Sequence, residues 1–242
     1  MKIYMTDEEV RTAAIEFAKK NKVRIAKELT DPIKYIPSAK PISVFMAGSP
    51  GAGKTEYSKE LIEILEKDND WRFIRIDSDD IRSYFRGYTG GNSHLFNGAA
   101  SLIVEKMHDL VLHRNQHFIL DGTFSHYDKA VKNIQRSINK KRPVFVFYVY
   151  QEPEIAWKFT EAREKMEGRN IPKMAFIERF IGARETVEKI RNEFGEKVSV
   201  ILVKKNIENN TVEELVEITL GSGAFDNYIE KRYTQEDLEK RI

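Results

Sequence analysis

Residues 48–55 read Gly48-Ser49-Pro50-Gly51-Ala52-Gly53-Lys54-Thr55, a complete G-x-x-x-x-G-K-S/T run. A short apolar stretch, Ile42 to Ala47, precedes it, and Tyr57, Leu61, Ile64 and Leu65 follow at helical spacing. Strand, glycine loop and helix in that order is the setting in which this pattern binds phosphate. Gly48, Gly51 and Gly53 open backbone conformations closed to other residues, so successive N–H groups can converge on one anion. The start of the helix adds partial positive charge. Lys54 can reach the β- and γ-phosphates of a nucleotide, and Thr55 can give its hydroxyl to Mg2+. The expected ligand is a nucleoside triphosphate, ATP with Mg2+, held by residues 48–55. The loop alone does not separate a kinase from a GTPase or a motor. No Asn-Lys-x-Asp guanine signature occurs, and 242 residues leave no room for long coupling elements.

The rest of the chain supplies the sheet this loop needs. Residues 1–40 read as an N-terminal helical segment: Thr6 with Glu9 forms a capping-box pattern, and Val10, Ala13, Ala14, Phe17 and Ala18 recur at helical spacing. Beyond the loop, Phe73 to Asp77, Phe118 to Asp121, Val144 to Tyr150 and Val198 to Val203 read as further strands separated by helical stretches. Continuous apolar runs are expected where both faces of a strand are covered. The alternation predicts an α/β, P-loop NTPase-type three-layer αβα sandwich with a mainly parallel sheet over residues 41–220, its functional loops at the carboxyl edge. Residues 221–242 read as a polar C-terminal tail ending in a solvated helix started by Thr234 ahead of Asp237.

Charge narrows the choice of partner. Forty Lys and Arg against 38 Asp and Glu leave a net charge of +2, so no global field recruits nucleic acid or an anionic membrane. There is no cysteine, hence no disulfide frame, thiolate nucleophile or Cys-ligated zinc. No apolar run approaches the roughly 20 residues that span a bilayer, and the expected setting is cytoplasmic. His108 and His113 lie five apart on a predicted helix, which does not stack them as a metal pair. Tyr84, Phe85, Tyr88 and Phe96 suit either stacking on a base or plugging an apolar corner.

Two strand ends carry acids to the loop edge. Asp77-Ser78-Asp79-Asp80-Ile81-Arg82 follows the second strand. A hydroxyl attacking a γ-phosphate gains from a carboxylate that accepts its proton, and Asp79 is the candidate; the competing role is that Asp79 or Asp80 caps the helix near Ile81. Asp121-Gly122-Thr123 ends the third strand, and Asp121 suits either a Mg2+-bound water or a substrate hydroxyl. Beyond Tyr150, Arg163 on a predicted helix and Arg169 in the loop 168–173 are placed to meet a transferring phosphoryl group, or to pair with Glu161, Glu164 and Glu167 on the surface.

Taken together, these residues resemble the zeta toxin family of P-loop kinases, the toxic half of epsilon–zeta toxin–antitoxin systems, over roughly Ile42 to Val203. The matching features are the glycine loop, Asp77-Ser78-Asp79-Asp80-Ile81-Arg82, Asp121-Gly122-Thr123, Arg163, and Arg169-Asn170-Ile171-Pro172-Lys173. The resemblance implies Asp79 as general base, with Lys54, Arg163 and Arg169 on the transferred phosphate. It also implies Asp77, Arg82, Asp121 and Thr123 on the acceptor. The implied reaction is ATP-dependent phosphorylation of the 3′-hydroxyl of UDP-N-acetylglucosamine or a related UDP-amino sugar, with a protein antitoxin as partner. The alternatives are a P-loop kinase of another metabolite, nucleoside or polynucleotide end, and a non-catalytic ATP-dependent binding protein.

Overall fold

The computed structural model describes residues 5–168, 170–206, 211–218, 225–229 and 231–242. Six strands form one sheet in the order β2-β3-β1-β4-β5-β6, with β1 Ser43–Ala47, β2 Phe73–Asp77, β3 His117–Asp121, β4 Val144–Tyr150, β5 Ser199–Lys205 and β6 Val212–Ile218. The first five strands run parallel and β6 is antiparallel to β5, so the mainly parallel α/β sheet expected from the sequence is what forms. Every residue of β1 is buried, because helices cover both of its faces. Val44 and Met46 pack with Tyr57 and Leu61 of α2 (Lys54–Lys67) on one face. Phe45 and Ala47 join the larger core on the other, with α4 (Ser93–His113), α5 (Tyr127–Asn139) and α7 (Lys173–Phe194).

Helix α1 (Asp7–Leu29) begins with the capping box written in its sequence: the Thr6 side chain accepts from the Glu9 N–H, and Glu9 accepts from the Thr6 N–H at 2.7 Å. Small residues on one side, Ala14 and Ala18, let it lie close along α4. There Gly98 leaves room for Ile15, whose Cδ1 would be 3.2 Å from any Cβ added at that position. Phe85 packs between Phe17, which it meets edge-on, and Phe96, and Tyr88 meets Phe96 edge-on, so this aromatic group plugs a corner of the core.

Two features depart from the expectations. Strand β6 was not anticipated. The C-terminal tail is anchored, because Phe225, Ile229 and Leu238 are buried in the main core. Arg184 of α7 donates to Asp226 at 2.6 Å and to the Lys231 carbonyl at 3.0 Å, and Arg232 bridges Asp226 and Glu188. The last helix, α8 (Gln235–Arg241), starts with the Thr234–Asp237 capping box but buries Leu238 completely. Among the described residues no helix is long and apolar enough to cross a membrane.

Candidate active site

Strand β1 lies between β3 and β4 although the chain reaches β3 only after β2, and the crevice at the carboxyl ends of such strands is where α/β sheets bind ligands. A cleft of about 360 Å3 opens there, lined by the glycine loop, Asp77, Asp79, Arg82, Asp121, Thr123 and Arg163. The structure therefore brings into one cavity every described residue singled out for phosphate or acceptor chemistry apart from Gly48, Ser49 and Ala52, which lie within the loop and are buried. Arg169 lies outside the described residues.

The loop is shaped by close approach as much as by φ. Gly48, Gly51 and Gly53 have φ of 139°, 71° and 87°. A Cβ on Gly48 would sit 2.3 Å from the Val149 carbonyl oxygen, and one on Gly51 would sit 2.0 Å from that of Ala156. The glycines thus allow the turn to press against the end of β4 and the first turn of α6 (Pro153–Glu167). The Gly48 N–H donates to the Thr123 carbonyl at 3.1 Å, tying the loop to the end of β3. Lys54 Nζ donates to the Ser49 carbonyl at 2.6 Å, folding back over the turn.

Asp77 and Asp121 are paired across β2 and β3 and are bound together by Arg75, which sequence reasoning did not single out. Arg75 donates to Asp77, to Asp121 through Nε at 3.1 Å and Nη2 at 2.7 Å, and to Asp80 at 2.7 Å. Ser58 of α2 also donates to Asp121, at 3.1 Å. Burial alone would lower the Arg75 pKa, but the charges of Asp121, Asp77 and Asp80 outweigh it and raise it. Asp121 moves upward, first through burial and then through the charge of Asp77, against the opposing pull of Arg75.

Helix α3 (Ser78–Arg82) starts earlier than expected, and its N-cap is Asp77, whose Oδ1 accepts from the Asp79 N–H at 2.8 Å. Capping thus falls to Asp77, which leaves the Asp79 side chain facing the cleft, where Arg82 donates to its Oδ1. Arg82, 6% exposed, also donates to Asn97 of α4 at 2.8 Å. Arg163 lines the cleft from α6, and Arg179, a second residue absent from the sequence reading, lines it from α7.

Among the described residues no group of three or more His, Asp or Glu could hold a metal ion. The donors fit an ion that arrives on nucleotide phosphates instead: the Thr55 hydroxyl at the cleft, with Asp77 and Asp121 nearby. His108 is a core residue whose pKa is pushed down to about 3 by burial and by Arg136, and it takes part in no metal cluster.

A parallel sheet with a glycine cradle at its carboxyl edge defines a P-loop α/β protein. Its family follows from sequence: the zeta toxin family model matches residues 26–214, and the chain belongs to the zeta toxin family. The fold is similar to a solved structure from the PezAT chromosomal toxin–antitoxin system of Streptococcus pneumoniae, at 17% identity and a TM-score of 0.64, covering 93% of this chain and 95% of that one. It is also similar to AvrRxo1-ORF1:AvrRxo1-ORF2 structures. One was determined with ATP (13% identity, TM-score 0.57, 89% of this chain and 67% of that one) and one with sulphate ions (13%, 0.56, 90% and 68%). No curated protein sequence matches significantly.

Proposed function

We propose that the protein is an ATP-dependent kinase that phosphorylates a sugar hydroxyl of a UDP-amino sugar, the 3′-hydroxyl of UDP-N-acetylglucosamine being the first candidate. The observation that carries this reading is that Asp79, Lys54 and Arg163 line one cleft around the glycine turn. ATP would sit with its phosphates on the N–H groups of residues 48–55. Mg2+, held by Thr55 and the phosphates, would supply charge neutralisation. Asp79, oriented by Arg82, accepts the proton of the acceptor hydroxyl as its oxygen bonds to the γ-phosphorus. The bond from that phosphorus to the β,γ-bridging oxygen breaks, and ADP leaves. Lys54 and Arg163, with Arg169 from the adjoining loop, meet the charge on the moving group.

Membership of the zeta toxin family supports this reading, as does the ATP in a structure of similar fold. The toxin–antitoxin context of the PezAT structure supports a protein antitoxin as partner. The test is incubation with Mg·ATP and UDP-N-acetylglucosamine, followed by mass spectrometry. A product heavier by one phosphoryl group is expected. Asp79→Asn should lower turnover by about 10²- to 10⁴-fold, the range for loss of a general base. Near-normal turnover in that variant would remove Asp79 from the chemistry, and transfer to a different acceptor would replace the sugar assignment.

A further inference from the structure

Asp79 and the Arg82 that pairs with it share α3, a helix of only five residues. Arg82 is 6% exposed, its Nη1 donates to Asp79, and its Nε has no hydrogen-bond partner. Asp77 and Tyr88 also act on Arg82, but both belong to the same short stretch of chain as Asp79. Nη2 reaches beyond that stretch: it donates at 2.8 Å to Oδ1 of Asn97, in the second turn of α4.

Helix α4 is the firm partner in this contact. It is 21 residues long, and Leu95, Phe96, Ala99 and Ala100 on either side of Asn97 are buried. At Gly98 it lies against Ile15 of α1, where an added Cβ would be 3.2 Å from Ile15 Cδ1. Asn97 itself is exposed and lines the cleft. Asparagine is a poorer helix former than leucine, so neither propensity nor burial calls for an amide there. A guanidinium only donates, which fixes Oδ1 as the atom that Asn97 turns to Arg82. We propose that Asn97 is a positioning residue: through Arg82 it fixes the Asp79 carboxylate against the frame of α4. A planar guanidinium held at both terminal nitrogens is set in angle as well as in place. The inference rests on Asp79 as the base of a kinase and adds the residue that keeps that base aimed.

Two nearly isosteric variants separate this role from others. Asn97→Leu removes the acceptor for Arg82, whereas Asn97→Asp keeps an acceptor and removes the amide donor. With Mg·ATP and UDP-N-acetylglucosamine, Asn97→Leu should lower kcat about 10- to 100-fold while the KM for ATP stays within about twofold, and Asn97→Asp should recover to within about threefold of wild type. Added to Asp79→Asn, the leucine should cost less than about twofold more, because the carboxylate that carries its effect is already gone. An unchanged kcat in Asn97→Leu, an equal loss in both variants, or a full further loss on top of Asp79→Asn overturns the assignment. A crystal structure of Asn97→Leu needs no turnover: a displaced Arg82–Asp79 pair is expected, and a pair left in place overturns the positioning role. Wild-type protein that phosphorylates no acceptor would instead overturn the kinase reading, with that crystal structure still deciding whether Asn97 holds the pair.

Discussion

Arg75 grips Asp121 through two nitrogens of one guanidinium, Nε at 3.1 Å and Nη2 at 2.7 Å, while the same group also holds Asp77 and Asp80. The two strand-end acids that face the cleft are therefore one unit with a strand residue behind them. Arg75→Ala would leave two buried carboxylates uncompensated and should destabilise the fold by about 3–5 kcal/mol. Adding Asp121→Asn should recover part of that loss, because one of the stranded charges is then gone. Urea denaturation of the two single variants and the double variant measures the coupling. Strict additivity would show that Arg75 does not act through Asp121.

Gly51→Ala should be far more damaging than an ordinary glycine replacement. Its Cβ would lie 2.0 Å from a backbone oxygen in a turn at φ 71°, so either the loop or α6 must move. The expected result is loss of Mg·ATP binding in calorimetry together with a lower urea midpoint. An alanine variant that binds Mg·ATP normally would mean that the observed packing of loop on helix is not the one that receives phosphate.

Lys54 lines the cleft, arches back to the Ser49 carbonyl and acts electrostatically on Asp121, so its removal should fall chiefly on the ligand's phosphates. For Lys54→Met, urea denaturation checks that the variant is folded under the assay conditions. Phosphoryl transfer should fall by about 10²- to 10³-fold, the scale for one preorganised donor lost from a charge-developing site.

Stability should fall in mild acid. His108 is held down to about 3 by burial and by Arg136, and His117 to about 4 by burial and by Arg142. Their neutral forms are built in: His108 Nδ1 lies 3.2 Å from the Arg136 guanidinium, and His117 Nδ1 accepts from the Ile42 N–H at 3.1 Å. Between those values and the unfolded pKa of about 6.5, the unfolded chain binds the extra protons. The stabilisation is complete above about pH 6.5 and is lost as pH falls below it, at up to about 1.4 kcal/mol per pH unit for each histidine. Denaturation midpoints measured from pH 7 to pH 5 should flatten in the His108→Asn, His117→Asn double variant.

At the opposite edge of the sheet, buried Arg142 donates to Ser43 Oγ at 2.8 Å and to the carbonyls of Ile42 at 2.9 Å and Gln116 at 2.5 Å, with its guanidinium over the Phe118 ring. Burial lowers its pKa to about 10. Arg142→Met should cost about 3 kcal/mol by stranding those acceptors. Because the cleft is at the far end of the strands, Mg·ATP affinity should change little under conditions where the variant remains folded.

What could be read from the sequence was whatever announces itself locally. The glycine loop, five apolar strands and both capping boxes each sit within a few residues of chain, and each formed as expected. Strand β6 did not announce itself: Val-Glu-Glu-Leu-Val-Glu-Ile carries three acids because it covers an edge with largely exposed side chains, and only its pairing with β5 orders it. Arg75 was hidden for the opposite reason, as a charge inside an apolar strand whose partners lie on β3 and α3. Arg179 looked like any polar position on a long helix until α7 was set over the cleft. The tail hid its contribution in isolated apolar residues, Phe225, Ile229 and Leu238, too sparse to form a period.

The Gly51–Ala156 approach is made by backbone alone: the oxygen that forbids a side chain at 51 belongs to a peptide group, and so does the Val149 oxygen beside Gly48. No exchange of side chain at 149 or 156 removes either oxygen. The fit is gauged instead by the number of residues between the end of β4 and the first turn of α6. A single insertion or deletion there would throw the phosphate turn and the helix bearing Arg163 out of step, even with every residue around the cleft unchanged.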